Sequence, residues 1–405
     1  MISAFRALRN PLRLLGLLVA TALLAACQVG NVGLGGASGP RVSGQSVQVA
    51  MLLPLSSSQG GDAIVARGLE NAARMAAAEM SGMTIEISVY DTAGQAATAA
   101  GVARQAVSDG ADIILGPLRS DAAAAVGVAV ANSNVSVLSF SNNTEVAGSN
   151  VFVLGHTFAN TANRMVSFAA QRGNGNIVLV HASNLAGEVA RDAVRTAAGR
   201  SGATVAATIP YEFSQTGVIN VVPQVVEAVR EYGSNGLILT SDSAGALPFF
   251  AQLLPENGLD TEAVRVMGLT RWDIPPQTLE FAGLQGGWFA LPDPSATADF
   301  EARYQATYGE PPHNIAALGY DGLRAAAETA ANAGRLGAAE LTAGEYQGAN
   351  GVFRLLADGT ISRAMAIAQI TDNQVAIIRP RPKTSRRSRF LTGTRAFPFR
   401  PNRGS

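Results

Sequence analysis

The stretch Val47-Gln48-Val49-Ala50-Met51-Leu52-Leu53-Pro54 decides the fold, because a polar loop and an amphipathic helix come directly after it. A short apolar run with β-branched residues, stopped by proline, reads as a strand. The polar loop is Ser56-Ser57-Ser58-Gln59-Gly60-Gly61. Then Val65, Leu69, Ala72, Ala76 and Met80 recur at helical spacing, with Arg67, Glu70, Asn71 and Arg74 on the opposite face. Strand, polar loop and amphipathic helix make half of a β-α-β unit, whose next strand must return parallel to the first.

The unit repeats. Strands are predicted near Thr84–Tyr90, Asp112–Leu115 and Val135–Ser139, with helices near Ala96–Asp109 and Ser120–Ala131. A second series has strands near Ile177–His181, Thr204–Ile209, Gly236–Thr240 and Val264–Gly268. The alternation predicts an α/β fold of two doubly wound parallel sheets, one in each of two lobes. Further on come the segment Phe300–Tyr308 and a helix predicted near Ala316–Ala333. A hairpin of Gly351–Leu356 and Arg363–Ile370 is expected around the turn Ala357-Asp358-Gly359-Thr360.

Outside this body the chain changes character. Arg6, Arg9 and Arg13 precede the apolar run Leu14–Leu24, and Leu24-Ala25-Ala26-Cys27 ends it. Residues 1–26 therefore read as a lipoprotein export signal, too short in its apolar part to span a bilayer, with Cys27 as the lipidated residue. Residues 27–45 read as a flexible tether, and Gln28–Gln45 would reach roughly 23 Å as a coil. Gln28 in place of an aspartate makes the outer membrane, on its periplasmic face, the expected address. Cys27 is the only cysteine, so no internal disulfide is available.

Charge is divided. Three arginines lie in 1–26 and nine basic residues in 379–405, with no acid in either segment, so 28–378 holds twelve more acids than bases. The end, 379–405, reads as a disordered basic tail with Phe390, Leu391, Phe397 and Phe399 interspersed. The export signal argues against nucleic acid as its partner. Catalysis finds little support. The one lysine, Lys383, excludes a Walker loop; His156, His181 and His313 lack metal-ligand spacing; and no Gly-x-Ser-x-Gly elbow occurs. No metal or cofactor is expected.

Four segments in order carry a family resemblance: Val49-Ala50-Met51-Leu52-Leu53-Pro54-Leu55-Ser56, Ile113-Ile114-Leu115-Gly116-Pro117-Leu118-Arg119-Ser120, Val135-Ser136-Val137-Leu138-Ser139-Phe140 and Gly319-Tyr320-Asp321. The chain resembles the leucine-binding branch of the type I periplasmic binding proteins from about Val47 to Ile378. The resemblance implies two lobes joined by three hinge crossings. Lobe one would hold 46–155 and 292–350, and lobe two 156–291 and 351–378. Hinges would lie near 156–160, 291–294 and 348–351.

In open α/β sheets a ligand sits beyond the carboxyl ends of the strands. That points to the loops holding Ser57, Ser120, Ser141, Asn142 and Asn143. By position, the resemblance implies that Ser120, Ser141 and Asn143 hold the carboxylate and amino group of an amino-acid-like ligand. Ser120 is also expected to cap its helix. In lobe two the pattern departs from amino-acid-binding relatives. Leu185-Ala186-Gly187-Glu188 lacks their aromatic residue, and Gly268-Leu269-Thr270 lacks the acid that pairs the ligand ammonium, a partner worth roughly 1.5–3 kcal/mol. Thr270, Arg271 and Trp272 stand there instead and are the lobe-two cleft candidates. Trp272 could stack on a ligand or pack against the sheet.

Two functions fit the resemblance. The first expectation is a non-enzymatic lipoprotein activator of a penicillin-binding protein, whose partner is a peptidoglycan synthase. The alternative is the substrate-binding protein of an ABC transporter for amino acids or related small polar solutes, whose partner is a permease.

Overall fold

The computed structural model describes residues 40, 42 and 46–382 other than 149. The signal, Cys27, most of the tether and the tail from Lys383 onward lie outside the described residues.

Lobe one is built on β1 (Ser46–Leu53), β2 (Thr84–Asp91), β3 (Ile113–Leu115), β4 (Ser136–Ser139) and β5 (Val151–Val153), all parallel in the order β2-β1-β3-β4-β5. The alternation of β1 explains the layers. Val49, Met51 and Leu53 enter one core with α1 (Asp62–Glu79) and α9 (Ala317–Ala333), while Ala50 and Leu52 enter another with α2 (Ala96–Ser108) and α3 (Ser120–Ala129). The α1–α9 crossing is close enough that a side chain at Gly319 would collide with the Leu69 carbonyl.

Lobe two carries β6 (Asn176–Ala182), β7 (Thr204–Tyr211), β8 (Gly236–Leu239), β9 (Arg265–Gly268) and β10 (Trp288–Leu291) as parallel strands. The antiparallel pair β14 (Ala366–Thr371) and β15 (Gln374–Arg379) extends this sheet, giving β15-β14-β10-β9-β8-β6-β7. Val178 and Val180 pack with α6 (Gln215–Glu231) and α7 (Leu247–Glu256). Ile177 and Leu179 pack on the other face, with α4 (Phe158–Gln171) and α5 (Leu185–Ser201). Two doubly wound parallel sheets in two lobes form the type I periplasmic binding protein fold.

The chain crosses first between β5 and α4, and second between β10 and α8 (Pro294–Tyr308). The third crossing differs from expectation. After α10 (Ala338–Ala343), the strands β11 (Tyr346–Gly348), β12 (Gly351–Leu355) and β13 (Ile361–Arg363) form a small antiparallel sheet. Tyr346, Phe353, Leu355 and Ile361 share the lobe-one core with Met51 and Leu69. Residues 351–363 thus belong to lobe one, and the crossing falls at Ala364–Met365, not at 348–351. The expected strand Arg363–Ile370 is two strands in two sheets. The expected start of the tail is also corrected, since Arg379 lies in β15 and Arg381 pairs with Asp293.

Three contacts hold the hinge. Asn160 of α4 exchanges two hydrogen bonds with the Arg363 backbone, at 3.1 and 3.0 Å. Arg363 forms a fully buried ion pair with Asp321 of α9 at 2.7 Å. Arg381, beyond β15, pairs with Asp293, which accepts a bond from Ser295 N–H at the start of α8.

Candidate functional site

Parallel strands bring their carboxyl ends to one edge of each sheet. In lobe one β1, β3 and β4 are neighbours, so the loops holding Ser57, Ser120 and Ser141–Asn143 emerge side by side. The topology also switches there, because β2 lies on one side of β1 and β3 on the other. Gly116 makes the close approach possible: its φ is +95°, and a side chain would strike the Leu52 carbonyl. Pro117 carbonyl then accepts from Ser139 Oγ at 2.9 Å and from Phe140 N–H at 3.0 Å, which ties the two loops together.

The candidates in lobe one differ in what they have left to offer. Ser57 Oγ accepts from Gln59 N–H at 3.2 Å, and Ser141 Oγ from Asn143 N–H at 3.1 Å. Asn143 Oδ1 accepts from Glu145 N–H at 2.9 Å. Ser120 and Asn142 have no side-chain hydrogen bond among the described residues, and Asn142 is exposed. Ser120 does not cap its helix. Arg119 takes the capping position, with no side-chain cap bond, and Ser120 begins the first turn. Its hydroxyl is therefore not spent on a backbone N–H.

Sequence reasoning missed the charged pair beside these loops. Arg119 Nη2 donates to Asp62 Oδ2 and to Gln59 Oε1, both at 2.7 Å, while its Nε is buried without a partner. Burial pushes the Asp62 carboxyl up. Bonds to Arg119 and Ser57, with the Arg119 charge, outweigh this and hold it below the usual carboxylate range. The signal was present, since Arg119 closes the loop after β3 and Asp62 opens α1, but nothing in their spacing pairs residues fifty-seven apart.

In lobe two Thr270 Oγ1 donates to the Ser241 carbonyl at 3.2 Å, linking the loops after β8 and β9. Arg271 is held by Asp273 through Nε, at 2.6 Å, and Nη2. Trp272 is corrected from cleft candidate to core residue. Its ring has 0% exposure, lies 6.0 Å from Phe289, and fills the space left by Gly268 and Gly287. No face is left for a ligand. Acids do stand at this edge, although none occupies Gly268–Thr270: Asp242 follows β8 and Glu212 follows β7.

His156 stands at the first crossing. The residue is exposed, and the protein packed near it, with the charges of Arg363 and Arg271, holds its pKa below the usual imidazole value. Among the described residues no hydrogen bond or ion pair joins the cleft loops of one lobe to those of the other. No group of three or more His, Cys, Asp or Glu side chains that could hold a metal occurs among them.

Comparison with known proteins agrees with this architecture. An ABC transporter protein from Rhodospirillum rubrum, provisionally assigned to branched-chain amino acids, superposes with a TM-score of 0.70 at 18% identity, covering 82% of this chain and 100% of its own. A substrate-binding protein from Desulfitobacterium hafniense in complex with Leu gives 0.61 at 18%, covering 82% and 100%. A solute-binding protein from Rhodopseudomonas palustris BisB5 in complex with 3,4-dihydroxy benzoic acid gives 0.58 at 18%, covering 84% and 97%. At such identities the likeness shows the fold. No curated protein sequence matches the chain. The family described as Periplasmic binding protein matches residues 46–374, and with most of the chain inside that match, the protein belongs to the periplasmic binding protein family.

Proposed function

We propose that this chain captures a small acid-bearing solute between its lobes for an ABC transporter. One observation carries the reading. The lobes are joined at the hinge while the facing loops share no bond among the described residues, so that closure on a solute breaks nothing across the cleft. The unspent groups of Ser120 and Asn142 and the guanidinium of Arg119 suit a carboxylate. The family and the structural neighbours support this reading more than the synthase activator. The activator reading keeps one point in its favour: Trp272 is in the core and Arg271 is held by Asp273, which leaves few free ligand groups on that loop.

Thermal melts with leucine, benzoate and 3,4-dihydroxybenzoate test the proposal. Ligand at a hundred times its dissociation constant adds about 2.7 kcal/mol, enough to raise the melt by at least a few degrees. At least one acid should do so, and Ser120→Ala with Asn142→Ala should remove most of the gain. If no acid shifts the melt and cross-linking in envelopes recovers a synthase instead of a permease, the transport reading fails.

The lipid anchor is a proposal of the same kind, resting on Leu24-Ala25-Ala26-Cys27. It gives the periplasmic domain a membrane attachment, with the outer membrane preferred. Cys27→Ala should abolish incorporation of labelled palmitate; undiminished labelling in the variant would refute the anchor.

A further inference from the structure

The last strand of lobe two, β15, ends at Arg379, and the chain continues as Pro380-Arg381-Pro382 against the hinge. Each arginine of Arg379-Pro380-Arg381-Pro382 precedes a proline, which disfavours helical backbone for it, and each proline fixes its own φ. Such a run is extended and stiff. Two side chains grip it from opposite lobes. Arg164, on the lobe-two helix α4, donates through Nη2 to the Pro380 carbonyl at 3.2 Å and through Nε to the Met365 carbonyl, at the third crossing, at 2.8 Å. One residue on, Arg381 pairs with Asp293, which sits at the second crossing and caps the lobe-one helix α8.

Asp293 is anchored to lobe one in its turn. Its N–H donates to the Asn350 carbonyl at 3.5 Å, and its Oδ1 accepts from Ser295 N–H at 3.2 Å. Gly351, which opens β12 with φ +90°, has no room for a side chain: a Cβ would stand 2.8 Å from Asp293 Cβ and 3.6 Å from Arg381 Cδ. Lobe one thus packs directly on Arg381. The two grips are one residue apart, and that decides what the segment can do. A rotation of the lobes that separates α4 from the start of α8 by more than the slack of one arginine side chain must break a grip, because the proline-flanked backbone has little length to give. The Arg381–Asp293 pair, with side chains 27% and 13% exposed, is more sheltered than an ion pair on the open surface.

We propose that Pro380–Pro382 is a strap, a noncovalent fourth link between the lobes, which holds them at the observed separation and releases Asp293 when they close. Its grips are at the crossings and not on the cleft loops, so the strap acts whether or not a solute is bound and stands apart from the transport reading.

Pulsed electron-spin distance measurements on the full chain, without ligand, test this. Spin labels on unnatural amino acids would replace Val128 on α3 of lobe one and Ile219 on α6 of lobe two, which are 81% and 50% exposed. The parent should give one narrow distribution of distances between the lobes. Arg381→Ala should broaden it and add separations that the parent does not sample. Asp293→Asn, which keeps an oxygen to cap α8 while losing the charge, should do the same, and the two changes together should add little to either alone, as expected for partners in one contact. Arg381→Lys keeps a cation within reach and should stay close to the parent. Arg74→Gln, which removes an exposed ion pair with Glu70 far from the hinge, should change nothing and so controls for the loss of any one pair. A parent distribution as broad as that of Arg381→Ala, a narrow distribution in both Arg381→Ala and Asp293→Asn, or equal broadening in Arg74→Gln overturns the proposal.

Discussion

Asp62 shows how one side chain ties a loop to a helix. It opens α1, is 9% exposed, and binds the Arg119 guanidinium at 2.7 Å. Because its carboxyl is held below the unfolded value near 3.8, the pair contributes stability that is complete above that value and is lost as pH falls through the folded one. Replacing it by asparagine should cost about 1 kcal/mol near neutral pH, in the range of a charge-assisted bond with partly exposed partners. The melting-temperature gap between parent and Asp62→Asn should therefore narrow as pH is lowered from 6 toward 3. A gap that stays constant would show that the charge of Asp62 contributes nothing. The pair was not legible in the sequence, since pairing across two loops depends on the order of strands in the sheet. Trp272 failed for the opposite reason. A tryptophan after a strand end reads as available for stacking, and only the glycines at 268 and 287 show that the core makes room for it.

Elements were legible where period and punctuation agreed. Each expected strand of the two parallel series has its counterpart, from β1 stopped by Pro54 to β9 ending at Gly268. The run after the Asp358-Gly359 turn was not, because Arg363 to Ile370 alternates without a break and a change of sheet leaves no mark in it. The change is fixed instead by the buried Arg363–Asp321 pair, which joins β13 to α9 beside the crossing. Burial drives the Asp321 pKa up, opposed by the charge of Arg363. Arg363→Met leaves a buried carboxylate without its partner and should cost about 3–5 kcal/mol in urea unfolding, whereas Arg363→Met with Asp321→Leu should recover most of the loss. A single variant as stable as the parent would mean that the pair is not what fixes this crossing.

At the scale of the whole molecule, alternation alone predicted two sheets and two lobes, and the resemblance supplied three crossings. Which residues remain free to meet a ligand depended on local bonding that no period reports, as the contrast between Ser120 and Ser141 shows. The point at which the chain enters lobe one has a mechanical consequence. Val42 N–H donates to the Gly334 carbonyl at 3.2 Å, Leu336 N–H to the Pro40 carbonyl at 3.3 Å, and Ser136 Oγ to the Leu336 carbonyl at 3.3 Å. The entry thus lies at the amino edge of the lobe-one sheet, opposite the loops that face the cleft. Tension on residues ahead of Pro40 is borne by lobe one alone and is not transmitted through the crossings. In the closure proposed above, lobe two would move as an unloaded arm, and the mouth between the lobes is turned away from the point where the chain enters lobe one.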